Sequence, residues 1–85
     1  MKPAERRKLI LQWLREPDLQ GHPRTADCMS YDFEEFIETK LDNLSMKKAM
    51  KHLKELEDEG KIRGVRLATG VPFAGSAKHI KVYSV

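Results

Sequence analysis

Lys47, Lys48, Lys51 and Lys54 crowd into one short stretch, whereas His22, His52 and His79, the three histidines, lie far apart. Closely spaced lysines on one element are the groups that meet phosphate oxygens, and their attraction to a polyanion needs no further chemistry. Scattered histidines offer no such concentration. None is accompanied by a nucleophile signature or a Gly-rich phosphate loop, so an enzyme is not expected. Cys28 is the single cysteine. It has no partner for an internal disulfide, and with His22 it supplies two of the four ligands a structural zinc takes. No metal, cofactor or small-molecule ligand is therefore expected, and a lone thiol suits a reducing, cytoplasmic setting.

The charge is unevenly distributed along the 85 residues. Residues 1–16 carry five Lys/Arg against two acids, residues 17–44 two against seven, and residues 45–85 nine against four. The overall net charge is only +3. Mixed signs are ordinary for a solvated surface, yet this segregation directs a polyanionic partner to the last segment. A chain of this length supports one core and one domain. No apolar run reaches the roughly 18 residues of a membrane helix, and the N-terminus lacks the pattern of a signal peptide.

The elements that must hold these lysines follow from periodicity. Pro3 suits a first helical turn, Leu9, Ile10, Trp13 and Leu14 form a stripe, and Pro17 ends it. This predicts a helix over about 3–16, with Trp13 as a central packing residue. Arg6, Arg7 and Lys8 precede the stripe as a solvated turn or a secondary phosphate contact. Residues 17–30 are rich in turn formers, with a short strand expected near Cys28–Met29. Asp32 and Glu35 have capping-box spacing, and Phe33, Phe36, Ile37, Leu41 and Leu44 mark a second helix over about 31–41. Its outer face is acidic. Ser45 is a good cap for a third helix over about 45–59, stopped by Gly60. Ala49, Leu53 and Leu56 face inward there, with Met46 at the edge, and Lys47, Lys51 and Lys54 lie opposite. His52 falls at the border. Ile62–Leu67 and Lys78–Val85 read as strands around a turn containing Gly70, Pro72 and Gly75, giving a hairpin over about 61–85.

Three helices with a tight turn before the third, then a hairpin, is the order of an α+β winged helix-turn-helix. The run Ser45-x3-Ala49-x3-Leu53-x2-Leu56-Glu57-x2-Gly60-x-Ile62 resembles the recognition-helix signature of winged-helix bacterial transcription regulators, especially the GntR-type domain. That resemblance covers about residues 30–67. It implies a duplex-DNA-binding regulator of transcription, with Ser45, Lys47, Lys48 and Lys51 near the major groove. Lys54 borders that set, and Arg63, Arg66, Lys78 and Lys81 of the hairpin are available to phosphates. So small a module makes few base contacts, and useful specificity calls for a homodimer on paired half-sites. Departures from the family are the absence of guanine-reading arginines beside Met46 and Met50, the acidic second helix and an apolar tip, Val71–Ala74. These leave open an alternative, a protein-docking adaptor or inhibitor that binds no DNA, with Phe73 as its candidate partner contact.

Overall fold

The computed structural model describes residues 1–68 and 79–85, so Phe73, Lys78 and the expected hairpin tip lie outside the described residues. Its order is α1 (Pro3–Arg15), α2 (Tyr31–Lys40), α3 (Met46–Asp58), β1 (Arg63–Ala68) and β2 (His79–Ser84). The three expected helices and the two strands of the hairpin are present, with ends displaced by a residue or so. The layout, three helices and a C-terminal antiparallel hairpin, is compatible with a winged helix.

Local chemistry explains the ends. Pro3 stands in the first turn of α1, and Glu16 turns extended (φ −83°, ψ 137°) because it precedes Pro17. The cap of α2 is Ser30, whose side-chain oxygen accepts from the Phe33 N–H at 3.3 Å. Asp32, the expected cap, lies one position inside the helix, where a carboxylate still favours the positive end of the peptide dipoles. Between α2 and α3 the chain reverses through Asp42 (φ 51°) and Asn43 (φ 60°), residues that tolerate the left-handed region better than most. At the far end of α3, Gly60 (φ 75°) lets its own N–H reach Glu57 O and the Lys61 N–H reach Leu56 O. That double bond closes the helix.

β1 and β2 pair in the register Arg63↔Ser84 through Ala68↔His79. The strand expected at Cys28–Met29 is instead a single bridge at Ala26, which exchanges two hydrogen bonds with Tyr83 at 2.9 and 2.8 Å. Asp27 Oδ1 accepts from the Met29 N–H at 2.7 Å, bending the chain away from the sheet before a strand can continue.

Helices α1, α2 and α3 bury Ile10 and Leu14, Phe33 and Ile37, and Leu53 and Leu56, with Leu41 from the turn and Tyr83 from β2. Trp13 is not the centre of this core. It packs half-buried at the rim, stacked on Phe36 at 5.2 Å and tilted against Phe33 at 5.6 Å. Val65 and Leu67, on the face of β1 opposite Gly64 and Arg66, are about half exposed beside Arg63. Among the described residues, no helix is long and apolar enough to cross a membrane.

Candidate nucleic-acid interface

α3 is the element that carries the basic cluster, and its burial fixes which way the lysines point. Ala49, His52, Leu53 and Leu56 face the core, while Lys47, Lys48, Lys51 and Lys54 are exposed. Ser45 caps the helix, accepting from the Lys48 N–H at 3.3 Å, which holds the first turn and its two lysines in place. There is no acid in the first turn of α3 and no base in its last. The peptide dipoles favour the reverse by roughly 0.3–1 kcal/mol per charge. The basic end therefore stands against the local electrostatic preference.

The acids of α3 decide which cations remain available. Spacing would allow Glu55 to pair with Lys51, but Glu55 turns to the other side of the helix. Its Oε2 takes Arg7 Nη1 of α1 at 3.1 Å, and its Oε1 lies 3.1 Å from Nδ1 of the buried His52. Arg7, a candidate phosphate contact by sequence, is thereby tied to α3. Glu57 accepts from Lys81 of β2 and from Lys54 at 3.4 Å. The Lys81 hydrogen bond, aided by Lys54, holds the Glu57 carboxyl below its ordinary range. Lys54 also meets Asp58 at 3.1 Å, and these two acids, Asp58 first, raise its ammonium above the usual lysine value.

Gly64 shows how closely the hairpin crosses this pair. A Cβ there would fall on the Glu57 carboxylate and the Lys81 side chain, so the flexible ends of this pair would have to shift to admit any larger residue.

Among the described residues, Lys47, Lys48, Lys51, Arg63 and Arg66 have no carboxylate at ion-pair distance. All five are exposed. Lys54 and Lys81, grouped with them by sequence, are instead committed to acids of α3.

Sequence reasoning missed a concave surface between α1 and α2. Leu9, Gln12 and Trp13 of α1, Glu16 just beyond its end, and Asp32, Glu35, Phe36 and Thr39 of α2 line an open groove of about 700 Å³. Arg24 closes one end, its guanidinium 5.0 Å from the Trp13 ring centre and 3.7 Å from Glu16. The clue lay in two amphipathic faces repeated at i, i+3, i+4 and i+7. Periodicity alone assigns the apolar members of these faces to the core and the acids to an outer face, and does not show that the two helices bring them together.

No protein-family model matches the chain, nor does any curated protein or solved structure.

Proposed function

We propose that the chain is a winged-helix regulator of transcription that binds duplex DNA, with α3 in the major groove and the hairpin as a wing along the phosphates. The observation that carries this reading is the release of Lys51 by Glu55. The acid best placed to neutralise the basic end of α3 is engaged with Arg7 and His52 instead. Lys47, Lys48 and Lys51 are thus exposed at the helix end that enters a groove in such modules, while Ser45 orders the turn before them. Arg63 and Arg66, exposed on opposite faces of β1, are further cations that the hairpin can offer to phosphates. Lys78 belongs to the same proposal by its position in the sequence. A homodimer in the cytoplasm, reading paired half-sites, gives so few contacts useful specificity.

The test is fluorescence anisotropy against labelled random duplex, at low and then moderate salt. Affinity of about 10⁻⁴–10⁻⁶ M that falls steeply with salt is the expected result. The double variant Lys47→Glu/Lys51→Glu should weaken binding by about tenfold or more and flatten the salt dependence by about two counterions. Lys54→Ala and Lys81→Ala should cost much less, since both lysines already serve acids of α3. Undiminished binding by a folded double variant would remove this site. The second reading, an adaptor without DNA binding, is favoured by the acidic outer face of α2, which no phosphate backbone would approach.

A further inference from the structure

Among the described residues, the groove between α1 and α2 contains none of α3 or the hairpin, so its occupant is separate from the lysines of α3. Its floor is apolar and aromatic: Leu9, Trp13 and Phe36, with the two rings stacked. Leu19 stands at its lip, fully exposed, in a loop held by Asp18, whose Oδ1 accepts the N–H groups of Gln20 and His22 at 2.9 and 2.8 Å. Those bonds, that from His22 first, keep the Asp18 carboxyl charged below its ordinary range. The loop is therefore a built wall with an uncovered leucine at its crest.

Charge selects the occupant. Glu16, Asp18, Asp32 and Glu35 rim the groove, against Arg24 and Lys40. Arg24 is already engaged by the Trp13 carbonyl, the indole face and Glu16. A trough walled by two helices, with an apolar floor and acidic edges, matches a third helix with an apolar stripe and basic flanks. We propose that this groove docks a basic amphipathic helix supplied by a partner protein. The partner's apolar side chains lie over Trp13 and Phe36, and its Lys or Arg side chains meet Asp32 and Glu35 on one side and Asp18 on the other, Glu16 being held by Arg24. Rim charges of this kind set orientation and reject acidic competitors.

The probe is a synthetic Leu/Lys amphipathic helix about four turns long, with a Leu/Glu peptide of the same apolar stripe as its counterpart. Binding is read by the emission of Trp13, the chain's one tryptophan. The Leu/Lys peptide should shift Trp13 emission saturably and weaken with salt, while the Leu/Glu peptide binds about tenfold less tightly or worse. Asp32→Lys/Glu35→Lys, two exposed positions, should weaken the Leu/Lys peptide by about tenfold and leave duplex-DNA affinity no lower than before. Equal binding of both peptides, or full binding to the double variant, would overturn the proposal. So would sedimentation showing a dimer that Leu19→Glu dissociates, since the groove would then be filled by a second copy of the chain. Failure of the DNA experiment leaves these outcomes unchanged, because the groove and α3 share no residue.

Discussion

At the scale of single residues, the site depends on where two glutamates turn. Glu55 leaves Lys51 free by reaching Arg7, and Glu57 draws Lys81 and Lys54 inward. Glu57 also gives the fold a pH dependence of definite sign. Its folded carboxyl is held below the ordinary value near 4.5, foremost by the Lys81 hydrogen bond. In the unfolded chain no lysine is fixed beside it. The contribution is therefore complete above the ordinary glutamate value and disappears as pH falls through the lower folded one. Urea melts between about pH 3 and 7 should show Glu57→Gln less stable at neutral pH, with its deficit shrinking toward the acid end. A deficit that stays constant across that range would mean that the Lys81 pair does not govern this titration.

At the scale of elements, the turn between α2 and α3 sets the angle at which the lysines are presented. Asn43, exposed and at φ 60°, is held in the left-handed region. Asn43→Val should cost about 1–2 kcal/mol in thermal or urea unfolding, because a branched Cβ crowds the backbone there. Asn43→Gly should remain within about 1 kcal/mol of the parent. Equal losses for both would place the role of Asn43 in its side chain.

These elements were also the most legible part of the sequence. Leu53, Leu56 and Gly60 mark α3 by local spacing alone, and Pro17 ends α1 by a steric rule acting between neighbours. What spacing could not supply depends on contacts between distant segments. Ala26 has no strand signal of its own and is recruited by Tyr83. Ser30 rather than Asp32 caps α2 because the helix starts one residue before its first acid. The seven cationic positions read from α3 and the described hairpin, Lys48 among them, are all legible as charges. Their division into free and engaged is not, since Arg7 and Lys81 approach α3 from elsewhere in the chain.

Across the whole molecule, one small core supports two surfaces of opposite sign, the basic end of α3 and the acidic groove between α1 and α2. Stability for a domain of this length is only about 4–13 kcal/mol. Leu53, fully buried, faces the core from the middle of α3. Leu53→Ala should cost about 2–5 kcal/mol and lower the melting temperature by about 10 °C or more. Both surfaces should be lost in the same transition, followed by DNA anisotropy and Trp13 emission. Two separated transitions would show that α3 and the α1–α2 pair do not share one cooperative core.

The Ala26–Tyr83 bridge has a consequence for how the chain comes into being. During synthesis α1, α2 and α3 are complete well before residue 83 is made, and until then Ala26 has no strand to bond and the core lacks its Tyr83 wall. A nascent chain halted between Gly60 and β2 would hold its three helices around a gap, with apolar side chains open to water and to one another. Closure of the native core therefore needs β2 as well as the helices, because Tyr83 is both part of its wall and the partner of Ala26.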